Sequence, residues 1–391
     1  MNEQTNELDS MCGISDEKEE IEQENLYGEN KEAEIKKPYD PDKVDIISSP
    51  MTIGLLLARI ENKEIELNPD FQRKAGLWDN TKKSRLIESI LIRVPLPVFY
   101  FDSRDDDKWI IVDGLQRITT LNEFVLEKTL TLSNLEYLKE FDGFSYVDLP
   151  RIMQRRIQEC QIQTYCIRKG TPEDITISIF KRINTGGLIL NLAEIRNCVF
   201  HGTAGDLVKN MANKVSFKEA TRFRISSERM ADRELTTRFT AFYVLGYNSY
   251  DGNMDLFLEK GLAKIKGLAK DDKKLADELA AKLLSVFDRT MICCKELFGD
   301  FAFRKKIKDS DKFGPLNKSL FECVSCCIGL LTDQEQNLLI KNKSDFFNDY
   351  KKLFDGAFYN AINSATGTVE HVNLRHKEFT NFLETKLRNY Q

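Results

Sequence analysis

At 391 residues, with 41% hydrophobic and 30% charged side chains, the chain has length for two or three domains and apolar residues for sizeable cores. That excludes a wholly disordered chain and a collagen-like or coiled-coil rod. The net charge of −5 is unevenly spread: residues 1–45 carry 15 acidic and 5 basic side chains, leaving 52 basic against 47 acidic in the rest. A mildly basic body behind an acidic segment suits contact with phosphates, although acidic tails also serve solubility alone.

No run of about 18 apolar residues occurs, so no membrane span is expected. The acidic N-terminus lacks the apolar core of a secretory signal. Nine irregularly spaced cysteines then point to a reducing cytoplasm and mostly buried thiols.

In chain order, residues 1–45 are polar and lack apolar periodicity, and they are expected to be a disordered acidic tail. Ser48-Ser49-Pro50 before Ile53, Leu56 and Ile60 reads as a helix start. A short strand at Ile65–Leu67, a loop at Asn68-Pro69-Asp70 and a helix from Asp79 to Leu91 follow, stopped by Pro95. Pro97–Phe101 and Trp109–Val112 read as strands around a charged hairpin loop.

A helix is expected from Gln116 to Glu127, strands at Leu130–Leu132 and Cys160–Ile167, and a helix at Leu149–Ile157. Pro172 opens another helix reaching Ile183. From Leu192 onward the pattern is helical, with long periodic segments at Glu228–Gly246, Asp271–Leu297, Leu316–Leu331 and Asp333–Phe354. The fold class is therefore α+β, an α/β domain over about 46–190 followed by a mostly α-helical domain over 191–391.

The stretch Trp109-Ile-Ile-Val-Asp113-Gly-Leu-Gln-Arg117 carries the most chemistry. A strand ends in an acid, Gly114 turns the chain, and a helix begins whose first N–H groups favour an anion. Asp113 is placed to hold a divalent metal or orient a water, and Arg117 to bind phosphate bidentately. The plainer alternative is an ordinary strand–helix turn with Arg117 in a surface ion pair. Two further polar clusters are Asn68-Pro69-Asp70-Phe71-Gln72-Arg73 and Phe180-Lys-Arg182-Ile-Asn184-Thr-Gly-Gly187. The second also reads as a simple helix C-cap.

Together and in this order, the Phe-Gln-Arg loop, Asp-Gly-x-Gln-Arg and Phe-x-Arg-Ile-Asn-x-x-Gly resemble the N-terminal domain of GmrSD-type modification-dependent restriction systems. The resemblance covers roughly Ser48 to Asn197 and implies a ParB/sulfiredoxin-like fold that binds and hydrolyses a nucleotide. It assigns Asp113, Gln116 and Arg117 to catalysis, with Asp113 as the Mg²⁺ ligand. Gln72, Arg73, Gly114, Arg182 and Asn184 fall to nucleotide binding. Leu115 stands where the family usually has Gln, a departure that bears on hydrolysis more than on phosphate binding.

The implied partners are a nucleoside triphosphate, DNA and a nuclease or other defence protein, with no membrane. Such systems often include an HNH nuclease. This chain has only His201, His371 and His376, and the spacing of the last two does not put both rings on one helix face, so any nuclease is expected in a partner. The other readings are a DNA-binding or DNA-nicking protein on the same fold, and a non-catalytic nucleotide sensor that controls an effector.

No structural zinc is expected. Cys323-Val-Ser-Cys326-Cys327 lacks a second spaced pair, because Cys293-Cys294 are adjacent and splay apart on a helix. Basic residues in Arg151–Arg156, Thr221–Arg224 and Arg304–Lys308 are candidates for nucleic-acid phosphates, or simply solvated faces.

Overall fold

The computed structural model of the chain describes residues 21–22, 41–66, 78–105, 107–183, 191–200, 202–305 and 314–391. Among the described residues, five strands form one mixed sheet: β1 (Ile46–Thr52), β2 (Ile65–Glu66), β3 (Phe99–Asp102), β4 (Trp109–Asp113) and β5 (Gln161–Ile167). Their order is β1-β5-β3-β4-β2, antiparallel at β1/β5 and β3/β4 and parallel at β5/β3 and β4/β2.

Ser48-Ser49-Pro50 is strand and not a helix start, contrary to the sequence reading. β1 is an edge strand, where a proline without an N–H is tolerated. The cap of the following helix is Thr52, whose hydroxyl accepts from the N–H of Leu55 at 3.2 Å.

Helices α1 (Ile53–Glu61), α2 (Asn80–Leu91), α3 (Leu115–Leu121) and α4 (Arg151–Glu159) belong to the same unit as the sheet. α1 buries Ile53, Leu56, Leu57 and Ile60, the three-to-four spacing of one helix face. They share a core with Phe99, Phe101, Ile111, Ile118 and Phe124. α3 runs directly into a π-helical turn at Asn122–Leu126.

Leu130 and Leu132 are buried but form no strand. Their loop is held instead by Glu88 of α2, whose carboxylate accepts from the N–H groups of Glu136, Tyr137 and Leu138 at 3.0, 2.6 and 2.9 Å. Burial pushes the Glu88 pKa up, but these bonds outweigh it and leave it below the usual value. Two further helices, α5 (Glu173–Ile183) and α6 (Leu192–Val199), complete a unit that spans Lys37–Val199.

The second unit, from Phe200 to Gln391, is helical: α7 (Thr203–Asn213), α8 (Val215–Ala220), α9 (Ala231–Leu245), α10 (Met254–Asp271), α11 (Lys273–Phe298), α12 (Lys318–Gly329), α13 (Asp333–Lys341), α14 (Lys343–Tyr350), α15 (Ala357–Asn363) and α16 (Val369–Tyr390). The single periodic segment expected at Asp333–Phe354 is broken at Asn342. Likewise, the segment expected from Asp271 begins only after Asp272, which caps α11 through the N–H of Leu275. α9 and α10 approach closely at Gly261, where a Cβ would fall 2.7 Å from the Cα of Ala241.

Buried charges organise this unit's interior. Glu322 on α12 takes Arg238 of α9 at 2.7 Å and Arg375 of α16, with all three side chains at most 3% exposed. Arg304, named above as a phosphate candidate, is also fully buried and donates to the carbonyls of Ala302 and Thr221 at 3.0 and 3.3 Å. It is a structural cation and cannot meet DNA. Ile21 and Glu22 belong to this unit: Ile21 bridges Leu316, and Glu22 takes Asn317 Nδ2 at 2.9 Å.

Candidate functional site

β4 ends on Asp113 because Gly114 follows it with φ of +103°, a left-handed conformation that L side chains rarely adopt. Space enforces the same choice: a Cβ on Gly114 would lie 2.6 Å from Phe99 Cδ1. The turn leads at once into α3, where Ile118 N–H bonds Gly114 O at 2.9 Å.

Arg117, in the first turn of α3, is 8% exposed and its guanidinium stacks 4.3 Å over the Phe99 ring. It donates to the carbonyls of Pro97 and Val98, the latter at 3.1 Å, and to Asp113 Oδ2 at 2.8 Å. Burial pulls the Arg117 pKa below its usual value, while Asp113 opposes the shift. Arg117 is therefore neither a surface ion pair nor a free cation: it locks the β3 approach and one oxygen of Asp113 together.

The Asp113 side chain remains 37% exposed. Among the described residues, its Oδ1 makes no hydrogen bond. Beside it runs a polar row that sequence reading missed. Across the sheet, Asp113 registers with Tyr100, Tyr100 with Tyr165, and Tyr165 with Ser48. The two tyrosine rings stack at 5.3 Å and 19°, both half-buried. Burial, then Tyr165 and Asp113, raise the Tyr100 pKa, so its hydroxyl stays a neutral donor over a wide pH range. The only hint in the sequence was the strand pattern around Tyr100 and Tyr165, because their pairing depends on strand order.

Of the other expected site residues, Gln116 lies half-buried in the first turn of α3. Arg182 is exposed in the last turn of α5, and among the described residues no hydrogen bond or ion pair joins it to Asp113. Gln72, Arg73 and Asn184 lie outside the described residues. Leu115 packs, partly buried, against the domain core.

In the helical unit, His371 is half-exposed with Nδ1 2.8 Å from Ser364 O, while His376 is fully buried. In the basic stretch at α4, Arg155 faces Glu159 at 3.5 Å and Arg156 donates to Leu91 O at 2.8 Å. Among the described residues, no helix is long and apolar enough to cross a membrane.

Residues 54–201 match the family model of the GmrSD restriction endonuclease, N-terminal domain. No curated protein and no solved structure matches the chain. The matched segment runs from the second residue of α1 past the end of α6 and contains the whole Asp113–Arg117 turn. The chain thus carries a domain of that family, one associated with restriction systems.

Proposed function

We propose that this domain binds a nucleoside triphosphate beside Asp113 and hydrolyses it with Mg²⁺, as a cytoplasmic component of a DNA-restriction or phage-defence system. The family match supports the restriction setting, and the five-stranded mixed sheet with its helices is read here as ParB/sulfiredoxin-like. The observation that carries the site is the Asp113 carboxylate, fixed through one oxygen by buried Arg117 and open at the other.

Mg²⁺ is commonly held by one or two protein carboxylates, with phosphates and waters completing its shell, so a single Asp113 is a fitting protein ligand. Bound there, the metal would neutralise charge on the phosphates. The stacked Tyr100–Tyr165 pair offers a ring surface for a base. Gly114 keeps the backbone clear for close approach.

In this reading Arg117 positions Asp113, and charge on the transferred phosphoryl group falls to Arg73 and Arg182. Gln72, Gln116 and Asn184 orient phosphate or water. DNA, and a nuclease supplied by a partner chain, are the accompanying partners.

The test is phosphate release from each common nucleoside triphosphate by the purified chain, with Mg²⁺ and with or without DNA, beside Asp113→Asn. Mg²⁺-dependent release that falls at least about 100-fold in Asp113→Asn is expected, a typical loss for one positioned catalytic group. Neither binding nor release with any nucleotide would overturn the proposal. A sensor that binds without turnover is the second reading. Leu115 favours it, placing an apolar side chain in the first turn of α3.

A further inference from the structure

We propose that the helical unit binds a soft closed-shell cation, Zn²⁺ or Cu⁺, through Cys323, Cys327 and His376. Cys323 and Cys327 are four residues apart on α12 and so share one face. His376 comes from α16. One donor atom from each of the three lies within 4.8 Å of the others. All three are buried, at 0%, 5% and 0% exposure.

The spacing suits a shared ion better than a direct bond. Cys327 Sγ and His376 Nδ1 are 3.8 Å apart, long for a thiol–imidazole hydrogen bond. Metal–sulfur and metal–nitrogen bonds of ~2.3 and ~2.0 Å, opened by ~110–120°, place two donors roughly 3.5–3.7 Å apart, close to the distance here.

The state of His376 is an independent second observation. Its ring is stacked between Phe242 and Tyr247, at 5.0 and 4.9 Å. Its Nε2 is buried and, among the described residues, has no hydrogen-bond partner. Among the described residues, Nδ1 has only the Cys327 sulfur beside it, an expensive state for a buried imidazole without a stronger partner. The aromatic sandwich fixes the ring plane, as outer contacts do for metal-bound histidines.

Thr380, one turn beyond His376, puts Oγ1 3.5 Å from Cys327 Sγ, within reach to donate to a thiolate. Cys323 now donates as a thiol to Arg375 O at 3.2 Å. The cation would take the place of that proton and of the one on Cys327. Two thiolates and an imidazole are the donor set that thiophilic ions prefer. Three ligands in a dry core complete Cu⁺, whereas Zn²⁺ would draw in a fourth donor.

The sequence alone argues against zinc, because it offers no second spaced cysteine pair. The third ligand instead lies 49 residues beyond Cys327.

The experiment uses the full chain, purified without chelator, stripped of metal, and loaded separately with Zn²⁺ and with Cu⁺ under reductant. Desalted protein should retain about one ion per chain in at least one arm, and the better-retained ion identifies the occupant. Co²⁺ loading should give thiolate charge-transfer absorption that disappears in Cys327→Ser and in His376→Gln. Cys294→Ser, which alters a buried thiol outside the cluster, should leave retention and absorption unchanged. If the cluster variants fail to fold, X-ray absorption of the loaded wild type should show two sulfurs and one nitrogen. Retention under about 0.1 ion per chain in both arms, or a first shell without sulfur, would overturn the site.

Discussion

Both units bury arginine against a carboxylate, but they finish the arrangement differently. In the helical unit Glu322 is enclosed, one oxygen on Arg238 and the other on Arg375. In the sheet unit Arg117 is also buried, though less deeply, yet the Asp113 it grips stays partly exposed. A closed network gains specificity of packing and has nothing left with which to bind a ligand. A half-open one accepts the cost of burying a cation and keeps an oriented, accessible carboxylate. On the proposed function, the enclosed Glu322 is the structural acid and the half-open Asp113 the one that meets a ligand.

The largest effect should therefore come from the closed network. Glu322→Gln leaves two buried guanidinium groups without their shared counter-ion, and we expect a loss of about 3–5 kcal/mol in chemical denaturation. Burial raises the Glu322 pKa, but Arg375 and Arg238 lower it more, so the folded value lies below 4.5. A depressed carboxylate contributes stability in full above its unfolded value and loses it as pH falls through the folded one. Wild-type stability should thus decline below about pH 4.5, and Glu322→Gln should flatten part of that decline. An unchanged acid limb in the variant would break the comparison.

Next come the residues that hold the open carboxylate. Arg117→Ala removes charged bonds to Pro97, Val98 and Asp113 from a buried place, which should cost about 2–4 kcal/mol. Arg117→Lys should recover little, because a point charge cannot span two carbonyls and a carboxylate. Gly114→Ala forces both the φ of +103° and the clash with Phe99, and should cost about 1–3 kcal/mol.

Asp113→Asn is the informative counterpart: on a partly exposed group it should change stability by about 1 kcal/mol or less while removing phosphate release. Urea denaturation and phosphate release, measured on the same samples, separate the two roles. If Asp113→Asn unfolds the domain as readily as Arg117→Ala, the open carboxylate is structural after all.

What could be read in the sequence was what is local. Asp113, Gly114 and Arg117 span five residues of strand, turn and helix, and their types alone point to a tight turn that presents an acid. The same locality misled at Ser48-Ser49-Pro50, where a serine–proline helix signal sat on an edge strand that only pairing with β5 reveals. Tyr100 with Tyr165, Glu88 with its loop, and Cys327 with His376 each join segments tens of residues apart. No periodicity encodes them. Arg304 was misjudged because a basic run looks solvated until the carbonyls it serves are known. The break at Asn342 escaped notice because the apolar spacing continues across it from α13 to α14.

The smallest effect concerns the acidic N-terminal segment, expected from its composition to be dispensable for stability. The structure sharpens that expectation at two residues. Glu22 N–H bonds Leu316 O at 3.0 Å, and its carboxylate meets Lys305 and Asn317. Glu22 is itself 30% exposed, so the ion pair is screened and worth no more than about 1 kcal/mol. A chain beginning at Val44 loses these contacts and keeps β1 and everything after it. Its melting temperature should fall by less than about 4 °C, the shift that ~1 kcal/mol gives in a protein of this size. Glu22→Ala in the full chain should account for most of that change. A larger fall on truncation, with Glu22→Ala silent, would overturn the expectation that the segment is dispensable.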